Sequence, residues 1–294
     1  MRKRSLNVAG PLVFALALVA LPAAAQTYAE LFQQATAAYG QQEWPRCASL
    51  FASAARAATH DSEAARAFFA AAACSTGAGD KEAAFGYLDQ AAEKGHRDVE
   101  RATGNPQIEP LRSDPRWKAF LAGVEARSEA YKKGSNAELE RLYTEDQADR
   151  AQGPNAKIDW EAVSKRDEER RKRVLEILEA GGAKTAADYH HAAMVFQHGD
   201  TLDDYDRAHK LAAKAAELDP EHPGAKWLAA AAKDRWLMNQ GKPQLYGTQF
   251  KMVDGKWVLW DVDPSVTDEE RAKWDCPPLE VARKRAEELN AQRQ

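Results

Sequence analysis

The chain has 294 residues, with 41 basic and 45 acidic side chains and a formal net charge of −4. This balance excludes a protein that works through a strongly basic surface, so no nucleic-acid partner is expected. Three cysteines exclude a disulfide-dense scaffold, and the length is ample for a buried core. Alanine is abundant and β-branched residues are few, so the composition predicts a mainly α protein.

Residues 1–25 have the pattern of a secretory signal peptide. Arg2, Lys3 and Arg4 precede an apolar run over 11–21, and Ala23-Ala24-Ala25 provides the small residues of a cleavage site. The apolar run is shorter than the ~20 residues that span a bilayer, so no stable membrane span is expected after cleavage. The sequence therefore predicts a periplasmic or secreted protein.

Residues 26–130 predict a helical domain with repeated hairpins. A spacing of 3, 4 and 3 residues occurs twice, 37 positions apart, at Trp44, Cys47, Phe51 and Ala54 and at Lys81, Ala84, Leu88 and Ala91. It returns at Tyr205, Ala208, Ala212 and Ala215. This register resembles the second helix of a tetratricopeptide repeat, whose period is about 34 residues. The alternative is an ordinary alanine-rich helical hairpin.

Residues 131–157 contain Gly134-Ser135 and Gly153-Pro154-Asn155, which predict a loosely packed linker with a short helix. Residues 158–294 predict a second helical domain. Its one β-hairpin, near 248–262, is indicated by Asp254-Gly255 between two apolar runs. The basic run over 165–173 has two interpretations, a solvated helix with ion pairs along it or a phosphate-binding patch.

Two cysteines are candidates for a disulfide. Cys47 and Cys74 fall on consecutive predicted helices, near ends that should meet at the same level, so we expect them to be joined in an oxidising compartment. The alternative is a pair of packed thiols. Cys276 has no evident partner and no histidine nearby, which argues against a catalytic thiol.

The histidines do not have the spacing of a metal site. His191 and His198 share one helix face but lie about 10 Å apart along its axis, so no metal is expected. His198 is expected to orient a polar cluster or to cap its helix. No phosphate loop, dinucleotide fingerprint or nucleophile elbow is present, so no cofactor is predicted.

The second half contains a distinctive run, Gly241-Lys242-Pro243-Gln244-Leu245-Tyr246-Gly247-Thr248-Gln249. Together with Asp188-Tyr189 and Asp234-Arg235-Trp236-Leu237, it resembles an uncharacterised family of secreted bacterial proteins with the signature G-x-P-Q-x-[Y/F]-G-T-Q. The resemblance covers roughly residues 146–279. It implies export but brings no activity with it.

Alternation along the signature segment predicts that Gln244, Tyr246 and Thr248 share one face, with Gln249 following. Such amides and hydroxyls can bind a peptide or sugar, or can tie the hairpin to the helices. We expect them to converge on one polar site with four side chains from neighbouring helices, His198, Asp200, Asp234 and Arg235. The alternative is a structural hydrogen-bond network.

Three functions are compatible with this pattern. The first is an exported binding or scaffold protein that contacts a protein or peptide partner through stacked helices. The second is a hydrolase in which His198, Asp200 or Asp234 provides acid–base groups while Arg235 and Tyr246 stabilise an oxyanion. The third is a purely structural module.

Overall fold

The computed structural model describes residues 26–151 and 158–291. The predicted signal peptide, residues 1–25, lies outside the described residues. Helices dominate the described residues, and their only sheet is a two-stranded hairpin, so the prediction of a mainly α protein with one small β-hairpin is confirmed. Across the same residues, no helix is both long and apolar enough to cross a bilayer.

Four helices open the fold, each packed against the next: α1 Tyr28–Gly40, α2 Trp44–Ala57, α3 Asp61–Gly77 and α4 Lys81–Glu93. Small residues at the contact faces permit this close packing. Ala54 and Ala84 are fully buried, and a Cβ on Gly77 would lie 2.7 Å from the Trp44 ring. The remainder of this core comes from α5 Val99–Gly104, a 3₁₀ turn Pro106–Leu111 and α6 Pro115–Gly134.

Of the linker predicted over 131–157, the structure describes residues 131–151, which are largely helical, and Gly153-Pro154-Asn155 lies outside the described residues. Helix α6 continues to Gly134, and α7 Ala137–Arg150 packs on the second group of helices. Leu139 and Leu142 of α7 are buried in that second core. The side chain of Asn136 caps α7 and donates a hydrogen bond to the Gly182 carbonyl. Helix α7 therefore belongs to the second core, because its two leucines need the α9 surface to leave water.

The second core is built from α7 with α8 Trp160–Glu179, α9 Ala186–Gln197, α10 Leu202–Leu218 and α11 Ala225–Met238. Capping boxes begin two of these helices, at Thr185 for α9 and Thr201 for α10. Helices α9, α10 and α11 contact one another through fully buried alanines such as Ala192, Ala208 and Ala229. These three helices therefore pack closely, and each contacts the other two.

The hairpin and two final helices complete the fold. Strand β1 Phe250–Val253 pairs antiparallel with β2 Lys256–Leu259 across Asp254-Gly255, where both residues have positive φ. Helices α12 Asp268–Lys273 and α13 Leu279–Ala291 follow. The Asn290 side chain accepts from the Trp257 N–H at 2.7 Å and donates to the Trp257 carbonyl at 2.8 Å. Helix α13 thus provides hydrogen-bond partners for the free backbone groups of Trp257 at the edge of the hairpin.

Candidate functional site

Asp234 is the anchor of the signature segment. Its carboxylate, fully buried on α11, accepts hydrogen bonds from the backbone N–H groups of Leu245, Tyr246 and Thr248 at 2.7–3.2 Å. The Thr248 hydroxyl donates a further one at 2.8 Å. Burial raises the pKa of Asp234, while these hydrogen bonds act in the opposite direction. With every contact directed into the segment, Asp234 serves to hold its backbone.

Gln244 performs a similar role at the base of the hairpin. Its buried amide nitrogen donates to the carbonyls of Gln249 and Trp260, at 3.0 and 2.9 Å. Its amide oxygen accepts from the Gln249 N–H at 2.8 Å. The Gln244 side chain is therefore inside the fold, where it links the start of the signature segment to the residues on either side of the hairpin.

Arg235 and Gln249 connect this segment to the end of α9. The Arg235 guanidinium donates from Nε to the Gln249 side chain at 3.1 Å and from Nη1 to the Gln197 carbonyl at 2.7 Å. Gln249 also donates to the Ala231 carbonyl at 3.2 Å. Burial lowers the pKa of Arg235. The described residues place no carboxylate in an ion pair with it.

His198 caps the C-terminus of α9 and is oriented by an aspartate that the sequence analysis did not identify. Its Nδ1 lies 3.0 and 2.9 Å from the two carboxylate oxygens of Asp146, which is fully buried on α7. Asp146 also accepts from Gln147 and Arg150. When Nδ1 carries the proton and directs it at Asp146, Nε2 has a free lone pair. Nε2 has no hydrogen-bond partner among residues 26–151 and 158–291.

Behind His198 lies a network of ion pairs between α7 and α8. Arg150 bridges Asp146 and Asp167, and the buried Arg170 bridges Asp167 and Asp149. The basic run over 165–173 therefore directs part of its charge into a helix interface, which neither interpretation of the run anticipated. Mutual pairing neutralises these side chains and fixes the position of Asp146.

A cavity of about 440 Å³ opens where α9, α11, the hairpin and α13 meet. Its apolar walls include Met194, Trp227, Leu228, Phe250, Trp257 and Leu289. Its polar lining is formed by Gln197, His198, Arg235, Thr248 and Gln249. The structure thus brings four of the predicted site residues, His198, Arg235, Thr248 and Gln249, to one cavity. We call it the tryptophan cavity, after Trp227 and Trp257.

The other predicted site residues do not line this cavity. Asp200 has a side chain 68% exposed and pairs with Arg171. Tyr246 packs against the Trp274 ring, 5.9 Å between centroids, and burial raises the pKa of its hydroxyl. Asp234 and Gln244 support the segment from within. The hydrogen-bond network around Asp234 and the polar lining of the cavity are thus adjacent, and Thr248 and Gln249 belong to both.

A larger cleft of about 570 Å³ lies between the first helices and the turn joining α10 to α11. Its ion pairs include Arg66 with Glu221 at 2.5 Å and Arg97 with Asp219. Arg97 also lies over the Tyr131 ring. Because these arginines are already neutralised, we assign the cleft to the seam between the two cores.

Cys47 and Cys74 are joined as a disulfide between α2 and α3, with Cα atoms 5.8 Å apart. Cys276 is a buried free thiol, and burial raises its pKa to about 12, which opposes a nucleophilic role. No group of three or more histidine, cysteine or acidic side chains that could hold a metal occurs in the part of the chain that the structure describes.

Compared with protein-family models, with curated proteins and with solved structures, the chain has no match in any of the three. The resemblances to tetratricopeptide repeats and to the secreted bacterial family therefore remain predictions from the sequence.

Proposed function

We propose that the protein is an exported binding protein that holds a short apolar part of a protein or peptide partner in the tryptophan cavity. The observation that carries this proposal is the composition of the cavity. Aromatic walls from Trp227, Phe250 and Trp257 surround a polar end formed by His198 and Arg235. Apolar walls with a few fixed polar groups are typical of ligand sites.

The hydrogen-bonding capacity left at the polar end supports the same proposal. Nη2 of Arg235 makes no hydrogen bond within the described residues, and Oε1 of Gln197 is buried there without a partner. Gln197 is only 4% exposed and its side-chain oxygen is closed to the cavity, so this oxygen is not open to a ligand. Nη2 of Arg235 is therefore the donor left for a ligand at the polar end.

The network around Asp234 and Gln244 gives the cavity a rigid wall. Both side chains use their hydrogen bonds within residues 244–260, so the segment keeps its shape before a ligand arrives. A preformed wall reduces the entropy that binding would otherwise cost. The hydrogen-bond network that a structural module would need therefore also supports the wall of a binding site.

Ligand-observed saturation-transfer NMR with a pool of short apolar peptides tests the proposal. Saturation transfer is expected with the wild type and should be lost in Trp227→Ala, which removes a half-exposed wall. Trp160→Ala is the matched control, since Trp160 is 60% exposed at the start of α8 and does not line the cavity. Transfer that survives Trp227→Ala, or no transfer to the wild type, contradicts the proposal.

A second candidate function, hydrolysis, is favoured by one specific contact. Asp146 orients His198 as a carboxylate orients a general base, with Nε2 left to accept a proton from water. Neither serine nor cysteine lines the cavity among the described residues, so water would be the nucleophile. Hydrolysis of p-nitrophenyl acetate faster in wild type than in His198→Gln supports this function. Equal rates in the two proteins argue against it.

A further inference from the structure

Arg235 is partly buried and, unlike the fully buried Arg170 and Arg271, has no carboxylate partner among the described residues. Arg170 pairs with Asp149 and Asp167, and Arg271 pairs with Asp268. Arg235 instead donates to two neutral oxygens, the Gln249 side chain and the Gln197 carbonyl. A partly buried charge that is hydrogen-bonded but not neutralised carries a desolvation cost, and a counter-ion reduces that cost.

The surroundings of Arg235 add to this imbalance. Burial lowers the pKa of Arg235, and the nearby positive charge of Arg150 lowers it further. Asp146, the carboxylate that contacts His198, is already paired with Arg150 and His198. Arg235 is the one permanently charged side chain among the described residues that line the tryptophan cavity.

We infer that the occupant of the tryptophan cavity carries a carboxylate, which binds Arg235, on an apolar or aromatic body that lies between Trp227 and Trp257. The inference rests on the proposed function and specifies its ligand as the C-terminal end of a peptide with an apolar last residue. A planar carboxylate matches the fork of a guanidinium, of which Nη2 is unused in the described structure. One cation balances one carboxylate, whereas a phosphate dianion would leave excess negative charge.

The apolar lining of the cavity fits the same ligand, with Trp227, Phe250 and Trp257 among its walls. The apolar walls then receive the last side chain of the peptide. The charge of Arg235 and the apolar lining therefore select the same chemistry.

Isothermal titration calorimetry with N-acetylphenylalanine and with its carboxamide tests the inference directly. The two probes share the aromatic body and differ only in the charge at the end. Wild type is expected to bind the acid about tenfold more tightly or better, as a charge-assisted hydrogen-bonded pair provides. Arg235→Gln should bring the ratio of the two affinities close to one. Arg283→Gln, an exposed arginine on α13, should leave the ratio unchanged.

The outcomes separate this inference from the proposed function. Equal binding of acid and amide by the wild type overturns the carboxylate but keeps the cavity as a binding site. If neither the acid nor the amide binds to the wild type, both the carboxylate inference and the proposed function are overturned. If Arg235→Gln does not fold, Arg235→Lys replaces it, and a reduced but remaining preference for the acid is expected because an ammonium cannot form the bidentate pair. An undiminished preference in either variant assigns the anion to another residue.

Discussion

Nδ1 of His198 lies 2.9 Å from a carboxylate oxygen of Asp146, although the two residues are 52 positions apart. The contact joins the C-terminus of α9 to α7 and holds the imidazole at the polar end of the tryptophan cavity. Asp146 is fully buried, so its charge depends on His198, Gln147 and Arg150 for compensation.

Asp146→Ala should lower the free energy of unfolding by about 3 kcal/mol, because it removes the acceptor of a buried hydrogen-bonded network. Urea denaturation followed by circular dichroism measures the change. Asp200→Ala is the control, since Asp200 is exposed and its pair with Arg171 should contribute less than about 1 kcal/mol. A loss in Asp146→Ala that is no larger than the small loss expected for Asp200→Ala would show that Asp146 is not structurally important.

Asp234→Ala should cost more than about 3 kcal/mol, because three partly buried backbone N–H groups and one hydroxyl lose their acceptor. Thr248→Val removes only the hydroxyl bond and should cost about 1 kcal/mol. Hydrogen exchange at Leu245, Tyr246 and Thr248 reports the loss locally. Unchanged protection of these amides in Asp234→Ala would contradict the anchoring role.

The protein should lose stability as the pH falls below about 6. Burial lowers the pKa of His96 to about 4, and burial with His222 and His191 nearby lowers that of His190 to about 3. The unfolded chain takes up protons near pH 6.5, before the folded protein does, so stability is present above that pH and declines below it. Each histidine should contribute on the order of 3 kcal/mol to this decline by about pH 4.

Chemical denaturation across this pH range measures the effect. His190→Phe should flatten the dependence, because it removes a buried imidazole from the contact with His222, 4.9 Å between ring centroids. The control is His60→Phe, whose side chain is 43% exposed. A slope that His190→Phe leaves unaltered would exclude His190 as a source of the acid sensitivity.

Reduction of the disulfide between Cys47 and Cys74 should destabilise the protein by about 3 kcal/mol, as expected for a sequence separation of 27 residues. Thermal or urea unfolding with and without reductant provides the measurement. The double variant Cys47→Ala with Cys74→Ala should unfold like the reduced wild type and should not respond to reductant. A wild type that is equally stable in both states would contradict a stabilising disulfide.

The fold class could be predicted because its signals are local. The alanine-rich periodicity and the Asp254-Gly255 turn each depend on residues a few positions apart. The packing of α7, within the predicted linker, was not foreseen for a related reason. Helix α7 shows only two buried leucines, Leu139 and Leu142, among charged residues, so its apolar face is weak until α9 covers it.

The site could be predicted only in part. Asp234, Gln244 and Thr248 were found through the signature, but strict alternation did not hold, because Gly247 has a φ of 79° and the segment curves around Asp234. Asp146 was missed because its contact with His198 spans 52 residues and no local pattern marks it. The tryptophans of the cavity also come from separate elements, α11 and β2.

A crystal structure of the protein grown with a short peptide that ends in phenylalanine tests the central claim most directly. The account predicts density in the tryptophan cavity, with the phenylalanine ring between Trp227 and Trp257 and the terminal carboxylate on Arg235. Peptide bound instead in the larger cleft beside Arg97 and Glu221, with the tryptophan cavity empty, would contradict it.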